Sequence, residues 1–349
     1  MKKVVLLFIF VILIVGFFFL KSFFLKQEAE ECTYDIDLDK NIKEIVCKEK
    51  YSKTLEAMLL NSNFKEEYID SYMKIDYKDK ENFTFIVNNL LDLNYAPVVI
   101  NYILTLKDED INILTKEYVD LSKFLKITNL EVKNIERYNK YAKANSLEAS
   151  DVVTRVNIGL DAPFYTNVKI ISTPSNILVL VNKYNRLPED YVPTDLVPIK
   201  NNEQYSLRKI AAQALEEMIA DAKKEGHNLA LWSAYRSYNT QKTVYANYVK
   251  SSSEKQADTF SARPGHSEHQ TGLAADIRSS SLPKRLNDDD YEWVLNNSYK
   301  YGFIFRYNNQ EVTGYIDEPW HIRYLGVEIA TDVIQKKITY DEYYDLYLK

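Results

Sequence analysis

The chain from residue 50 to residue 148 has the hydrophobic and polar pattern of short helices. It is rich in Leu, Ile, Tyr, Asn, Lys and Glu, has the single proline Pro97, and contains no glycine. Acidic or capping residues precede the apolar segments 111–118 and 130–141, as is typical of helix starts. No fixed repeat period is detectable. We therefore expect a helical region over residues 27–150, either a spacer or binding module or a small structural domain.

The pattern changes at residue 151. Apolar residues followed by Pro163 predict extended chain over 151–169, and hence a domain boundary near residue 150. From Leu207 to Ala222 the apolar residues recur at helical spacing, and Gly226 is positioned to end that helix. We expect this helix to pack against a sheet.

Short strands and helices then alternate irregularly. The predicted elements are a strand over 228–233, a helix over 239–249, a strand over 272–277, a helix over 288–299, and a final helix that opens with a capping box at 339–342. Residues 320–324 alternate with a period of two, which places His321 and Arg323 on one face of a strand. Helices mixed with short, irregularly spaced strands indicate an α+β fold.

The N-terminus carries an uncharged apolar segment, residues 4–20, with lysines on both sides. It is longer than the apolar core of a secretory signal peptide, and no small-residue cleavage site follows it. We therefore expect an uncleaved transmembrane anchor over residues 1–26. Two lysines precede the segment and two follow it, so charge alone does not set its orientation.

Composition and cysteine content narrow the class of protein. Hydrophobic residues make up 46% and charged residues 27% of the chain, which is typical of a globular protein rather than a disordered one. The net charge of −6 argues against a nucleic-acid partner. Cys32 and Cys47 could form a disulfide that closes a loop of about fifteen residues, or could remain two thiols. Neither belongs to a C-x-x-C pair, so we expect no metal role for them.

Two short motifs supply the candidate chemistry. The first, at residues 267–276, contains His269 and Asp276, and the second is Glu318-Pro319-Trp320-His321. Two imidazole nitrogens and one carboxylate oxygen leave a fourth tetrahedral position for water, which is the arrangement of a catalytic zinc site. Glu318 can reach that open position, take a proton from the water and return it to a departing amine.

These motifs resemble the pattern S-x-H-x-x-G-x-A-x-D followed by E-x-W-H of the VanY-type D-alanyl-D-alanine carboxypeptidases. The defined positions are filled by Ser267, His269, Gly272, Ala274, Asp276, Glu318, Trp320 and His321. The resemblance extends over roughly residues 170 to 337 and includes the segment Ser233-Ala234-Tyr235-Arg236-Ser237-Tyr238. It implies a zinc carboxypeptidase domain over 151–349, with a central, mostly antiparallel sheet flanked by helices and one Zn²⁺ per chain.

The resemblance also implies roles for further residues and a location. Arg236 would stabilise the developing oxyanion or hold the substrate carboxylate. Ser267 would donate a hydrogen bond to the peptide, and Gln241 is a candidate for the same pocket. The substrates would be peptidoglycan stem peptides that lose their terminal D-alanine. The catalytic domain would therefore lie outside the cell membrane, held by a single-pass anchor.

Several alternatives stay open. The enzyme could instead be an L,D-carboxypeptidase or an endopeptidase on the same peptides. A non-catalytic cell-wall-binding protein is also possible, although such a scaffold needs neither Glu318 nor Arg236. His266 could be the fourth ligand of a structural zinc, but such sites usually include cysteine. A serine-hydrolase elbow at residues 265–269 fails, because its fifth position is His269 rather than glycine.

Overall fold

The computed structural model describes residues 51–349 except 118, 122 and 126, together with Lys43 and Cys47. The chain divides into two compact units between Leu125 and Lys126. The predicted anchor over residues 1–26 lies outside the described residues. Within the described part of the chain, no helix has both the length and the apolar character needed to cross a membrane. Cys47 is disulfide-bonded, and Cys32 is not among the described residues.

The first unit is helical over its described residues, as the sequence predicts. Its helices are Lys53–Leu59, Ile69–Tyr72, Phe83–Asp92, Pro97–Ile103 and Asp108–Leu114, with a 3₁₀ turn at Glu66–Tyr68. Ser52 caps the first helix by accepting a hydrogen bond from the Leu55 backbone N–H. Pro97 occupies the first turn of its helix, where no backbone N–H is needed. Leu55, Val87 and Ile100 are fully buried, so each helix contributes an apolar face to the core.

One buried polar arrangement occurs in both units. A tyrosine hydroxyl donates to an asparagine side-chain oxygen, and the amide nitrogen of that asparagine donates to a backbone carbonyl. The residues are Tyr72, Asn88 and Asn63 in the first unit, and Tyr138, Asn157 and Asn129 in the second. The tyrosine precedes the asparagine by 16 residues in one unit and by 19 in the other. The sequence spacing of the arrangement therefore differs between the two units.

The helices Ile135–Ala144 and Ala149–Asn157 belong to the second unit. The prediction of extended chain over 151–169 is therefore wrong at its start. The second helix buries Val152, Val153 and Val156. Asn157 donates to Asp345 Oδ2 at 3.1 Å, which joins this helix to the C-terminal segment. The division between the units thus precedes the predicted boundary near residue 150.

Eight described strands form three sheets. β1 (Lys169–Ile170) pairs in parallel with β2 (Asn185–Arg186), and β3 (Leu196–Ile199) pairs antiparallel with β4 (Asn202–Arg208). The central sheet contains β5 (Leu229–Ser233), β6 (Ala274–Ser279), β7 (Phe303–Phe305) and β8 (His321–Tyr324). Its order is β5-β6-β8-β7, and every pair in it is antiparallel. The α+β fold with a mostly antiparallel central sheet is present as predicted.

Helices surround this sheet. The remaining ones are Lys209–Lys224, Tyr238–Ser251, Glu254–Ala257, Asp288–Asn297, Gln310–Thr313, Val327–Lys336 and Tyr340–Tyr343, with 3₁₀ segments at Val132–Asn134, Glu268–Thr271 and Ser298–Tyr301 and a π segment at Tyr344–Leu348. Leu215 and Met218 of the longest helix share one core with Ile277 and Ile322 of the sheet. Burying side chains of this size contributes roughly 2 kcal/mol each. Because side chains alternate along a strand, the neighbours of these two isoleucines point to the other face of the sheet.

Candidate metal centre and active site

The three predicted metal ligands come together through the register of the central sheet. Asp276 on β6 lies directly opposite His321 on β8. His269 belongs to the 3₁₀ segment Glu268–Thr271, which leads into β6. One donor atom from each residue lies within 4.8 Å of the other two, and all three residues are buried. The pairing of β6 with β8 thus joins two motifs that are separated by more than forty residues.

The ring orientations leave one nitrogen of each imidazole facing Asp276. His269 Nδ1 lies 2.6 Å from the Ala234 carbonyl oxygen and donates to it, so Nε2 is free for a metal. This Nε2 is 3.3 Å from Asp276 Oδ2, and His321 Nδ1 is 3.0 Å from Asp276 Oδ1. A zinc tetrahedron with bonds of about 2.0–2.2 Å separates its ligand atoms by about 3.3–3.6 Å. The donor types fit zinc; the 3.3 Å separation lies within this range, and the 3.0 Å separation lies about 0.3 Å below it.

Gly272 shapes the turn that connects His269 to β6. It ends the 3₁₀ segment with φ at +67°, a backbone conformation that side chains with a Cβ disfavour. A Cβ at this position would lie 2.8 Å from Leu196 Cδ2. The Gly272 carbonyl also accepts a hydrogen bond from the Arg208 backbone N–H at 2.8 Å. Glycine therefore permits the close packing that holds His269 beside the sheet.

Charge in the metal-free site is balanced by a proton. Burial raises the pKa of Asp276, but the imidazoles of His269 and His321 lower it more, so this carboxyl is ionised. Burial lowers the pKa of His321, whereas the hydrogen bonds with Asp276 and Glu268 raise it to about 9. Burial keeps the pKa of His269 below its usual value. His269, Asp276 and His321 would hold a metal cation only after His321 loses its second proton, since a ligand imidazole is neutral.

A cavity of about 300 Å³ opens onto the three ligands. Its walls are largely aromatic, with Trp232, Tyr248, Phe260, Tyr307, Tyr315 and Trp320. The polar groups that line it besides the ligands include Glu318, Arg236 and Ser267. A cavity in which aromatic walls meet several convergent polar groups is typical of a small-ligand site.

Glu318 lies in the turn before β8. Its carbonyl oxygen accepts from the His321 backbone N–H at 3.0 Å, and its own N–H donates to the Tyr307 carbonyl at 3.0 Å. These bonds hold its side chain at the cavity beside the ligand that follows it. Burial raises the pKa of Glu318 to about 7 in the metal-free chain. A carboxyl with this pKa can both take up and release a proton near neutral pH.

Arg236 brings an unpaired cation to the same cavity. Among the described residues, its side chain has no hydrogen-bond acceptor or ion-pair partner, and its Nε is buried. Burial lowers the pKa of its guanidinium. Its backbone N–H donates to the His269 carbonyl at 3.2 Å, which fixes it next to the metal ligands. A partly buried cation without a hydrogen-bonded partner favours the binding of an anion at this position.

The two predicted substrate-binding residues occupy different positions. Ser267 is buried and lines the cavity. Gln241 does not line it: its Nε2 donates to the Ala262 carbonyl at 2.6 Å, and Ala262 lines the cavity. Gln241 therefore supports a residue of the cavity wall from behind. A direct contact of Gln241 with substrate remains a prediction. Its Oε1 is buried without a hydrogen-bond partner among the described residues.

His266 and Arg323 also differ in their relation to the metal centre. His266 is absent from the ligand cluster, and its Nδ1 lies 2.8 Å from the Asn182 carbonyl oxygen. A fourth ligand from His266 is therefore not supported. Arg323 does share a face with His321, as the alternation predicts, and reaches the cluster only through Glu268.

Glu268 is the residue of this site that the sequence analysis missed. It is fully buried between His269 and Ser267 in the first motif, and its Oε2 lies 3.3 Å from His321 Nε2. Burial by itself would raise the pKa of Glu268. The charges of Arg306 and Arg323 lower this pKa by more than burial raises it, so the carboxyl is ionised. A glutamate at an undefined motif position gives no sequence signal of this role. A buried charge there requires partners that only the fold supplies.

Comparison with known proteins gives the family. The family model for VanY, D-alanyl-D-alanine carboxypeptidase, matches residues 204–327. The relative "Putative carboxypeptidase YodJ" of Bacillus subtilis (strain 168) is 40% identical over 62% of this chain and 85% of its own length. The bifunctional D-Ala-D-Ala dipeptidase and D-Ala-D-Ala carboxypeptidase VanXYC of Enterococcus gallinarum is 31% identical over 49% of this chain and 94% of its own length. A solved structure of the LdcB LD-carboxypeptidase is 43% identical over 52% of this chain and 91% of its own, with a TM-score of 0.48. The predicted resemblance is confirmed, and the chain belongs to the VanY family of carboxypeptidases.

Proposed function

We propose that this chain is a zinc-dependent D-alanyl-D-alanine carboxypeptidase that removes the terminal D-alanine from peptidoglycan stem peptides. The observation that carries the proposal is the convergence of three kinds of group on one cavity. These are the ligand set of His269, Asp276 and His321, the titratable carboxyl of Glu318, and the unpaired guanidinium of Arg236. A scaffold without catalytic activity has no need for the last two groups beside the first.

His269, Asp276 and His321 would hold the zinc, with two nitrogen donors and one oxygen donor. When bound, zinc supplies a Lewis acid that makes water more acidic and a carbonyl carbon more electrophilic. Three protein ligands leave a position open for chemistry, whereas structural sites use four. This count supports a catalytic rather than a structural metal.

Glu318 would act as general base and then as general acid. It accepts a proton from the attacking water, whose oxygen forms the new bond to the scissile carbonyl carbon. When the C–N bond breaks, Glu318 returns that proton to the departing amine, so D-alanine leaves with a neutral amino group before it equilibrates with solvent. In the metal-free chain burial raises the pKa of Glu318 to about 7, and a bound Zn²⁺ would favour the carboxylate form that takes up the first proton. Groups in this role usually contribute a factor of about 10²–10⁴ to the rate.

Arg236 would bind the negative charge of the substrate. The terminal carboxylate of a peptide and the oxyanion that develops during attack are both acceptors for its planar fork. The aromatic walls then surround the short apolar side chains of a D-alanyl terminus. VanXYC, which carries D-Ala-D-Ala carboxypeptidase activity in its name, supports this choice of substrate.

We further propose that the catalytic unit lies outside the cell and that residues 1–26 hold it at the membrane. The support is the length of the apolar segment, the absence of a cleavage pattern after it, and the position of the proposed substrate outside the membrane. N-terminal sequencing of membrane-extracted protein, with protease accessibility in intact cells, tests this. A mature N-terminus near residue 26 would show that the segment is a cleaved secretion signal rather than an anchor. A catalytic unit protected from protease in intact cells would contradict the proposed substrate, which lies outside the membrane.

Defined stem peptides test the activity. The full-length protein, extracted in detergent, is incubated with pentapeptide, tetrapeptide and crosslinked muropeptides, and released alanine is measured by mass spectrometry. We expect alanine from the pentapeptide, loss of activity after chelation, and loss in the E318Q variant. Alanine from the tetrapeptide alone would indicate an L,D-carboxypeptidase, and cleavage of crosslinks an endopeptidase. Binding of peptide without any cleavage would favour the wall-binding alternative.

A further inference from the structure

Glu268 is a buried carboxyl side chain that the proposed chemistry does not use. It is fully enclosed, and both carboxylate oxygens are occupied. Oε1 accepts from Arg306 Nε and from Arg323 Nη1, each at 2.9 Å. Oε2 is 3.3 Å from His321 Nε2. The carboxylate therefore lies between two guanidinium groups and one metal-ligand imidazole.

The two histidines are held in opposite orientations. His269 Nδ1 donates to the Ala234 carbonyl, so this residue offers Nε2 to the metal. His321 has its Nδ1 towards Asp276 and its Nε2 towards Glu268. For His321 to offer a lone pair to the metal, Nδ1 must lose its hydrogen and Nε2 must keep one. An acceptor at Nε2 is thus required, and Glu268 is the acceptor.

The carboxylate has little freedom to move. Arg306 Nη1 lies 2.7 Å from Asp341 Oδ2 in the last helix. Arg323 donates from Nη2 to the Ile177 and Val179 carbonyls at 2.8 and 2.9 Å. On the side away from Glu268, Arg323 is therefore fixed by hydrogen bonds and Arg306 by an ion pair without hydrogen-bond geometry. Both arginines hold the carboxylate opposite the ring of His321.

We propose that Glu268 is a positioning residue that holds His321 in the tautomer with hydrogen on Nε2, so that Nδ1 is the metal ligand. The inference rests on the proposed zinc site and goes beyond it by assigning what selects the ligand atom. Hydrogen-bonded partners of this kind fix ring orientation and increase the basicity of a ligand, and their loss usually weakens metal binding by about 10–100-fold.

Substitution by glutamine makes the proposal testable, because an amide has one acceptor oxygen where the carboxylate has two. If the oxygen of the E268Q side chain faces the arginines, its NH₂ group faces Nε2 and favours the other tautomer, which removes the lone pair from Nδ1. If the oxygen faces His321, the NH₂ group faces two guanidinium donors. Both arrangements weaken the site.

Asp290 offers a matched control. It is also a buried carboxylate next to an imidazole, with Oδ1 3.0 Å from His227 Nδ1, and it is not part of the metal cluster. The D290N variant loses the same kind of interaction outside the site. A loss of zinc affinity common to both variants would therefore reflect general damage to the fold and would overturn the assignment.

The experiment measures zinc affinity of the full-length protein by chelator competition, and the absorption of the Co²⁺-substituted form. We expect E268Q to bind zinc about 10–100-fold more weakly, with an altered Co²⁺ spectrum, and D290N to match the unmodified chain. Unchanged affinity and spectrum in a folded E268Q would overturn the proposal while leaving the zinc site intact. Failure of the unmodified chain to bind zinc would instead overturn the proposed function.

A measurement on the unmodified protein covers the case in which E268Q does not fold. ¹⁵N NMR of the zinc-loaded protein, labelled at histidine, distinguishes hydrogen on Nε2 from hydrogen on Nδ1. We expect His321 to carry hydrogen on Nε2 and His269 on Nδ1. Hydrogen on Nδ1 of His321 would overturn the proposal without any variant.

Discussion

Glu318 should destabilise the metal-free protein at alkaline pH, and the E318Q variant isolates this effect. Its pKa is raised from 4.5 in the unfolded chain to about 7 in the folded one, because burial disfavours the charged form. A raised carboxyl pKa means that the folded state holds the proton more tightly. The stabilising contribution is therefore fully present below pH 4.5 and is lost as the pH rises through about 7.

The interval between these two pKa values corresponds to about 3 kcal/mol of unfolding free energy. Above pH 7 the folded chain must keep a carboxylate in a largely enclosed cavity, where the proton of His321 and the charge of Arg236 only partly compensate for lost solvation. The glutamine of E318Q has nearly the same shape and no charge at any pH. It should therefore remove the pH dependence that this one group contributes.

Urea unfolding of chelator-treated protein at pH 4.5 and pH 8 gives the measurement. Because other groups also titrate, the quantity of interest is the difference between the unmodified chain and E318Q at each pH. From pH 4.5 to pH 8, we expect the unfolding free energy of E318Q to rise by about 3 kcal/mol relative to that of the unmodified chain. The exposed Glu328 provides a control, since E328Q should follow the unmodified chain. Parallel pH profiles for E318Q and the unmodified chain would refute the assigned burial and pKa.

Three further predictions follow from the site and its turns. His269→Ala and His321→Ala should each lose the zinc that the unmodified chain retains, measured by metal analysis of the purified protein, and unchanged content would refute the ligand assignment. Arg236→Lys should lower kcat/KM by about 10–100-fold, because lysine lacks the planar fork, with an unchanged unfolding midpoint; near-normal kinetics would remove Arg236 from the reaction. Gly272→Ala should lower the unfolding free energy by more than the roughly 1–2 kcal/mol of left-handed backbone strain, because its Cβ meets Leu196 at 2.8 Å. Gly226→Ala is the control, because Gly226 also has a positive φ, +95°, but a Cβ added there would have no atom within 4 Å. Equal losses of unfolding free energy in the two variants would contradict the packing argument.

Local rules explain why several elements are predictable from the sequence. The apolar spacing before Gly226 corresponds to the helix Lys209–Lys224, and the capping box at Thr339 and Glu342 is formed as predicted. Apolar runs bounded by turn residues locate β5 and β6 to within two residues. Each of these signals depends on residues a few positions apart, which the sequence displays directly.

The same dependence on neighbouring residues explains why the extended chain predicted from residue 151 is wrong at its start. Valines at positions 152, 153 and 156 suit an extended strand, yet they also fall on one face of a helix, and packing in the second unit decides for the helix Ala149–Asn157. This helix also contacts Asp345, which lies 188 residues further along the chain than Asn157. The substrate contact of Gln241 stays a prediction, and only the path of the chain determines that its Nε2 donates to the Ala262 carbonyl.

The sequence by itself determined the ligand types, the candidate base and the family, because these depend on residue identity at fixed spacing. The tertiary structure decided which atoms of these residues face the proposed metal position and what holds them. Glu268 meets Arg306 and Arg323 across 38 and 55 residues, through the pairing and placement of strands rather than through any local pattern. Long-range register converts two separate motifs into one site, since an interaction between buried charges exists only where the fold brings the charges together and excludes water.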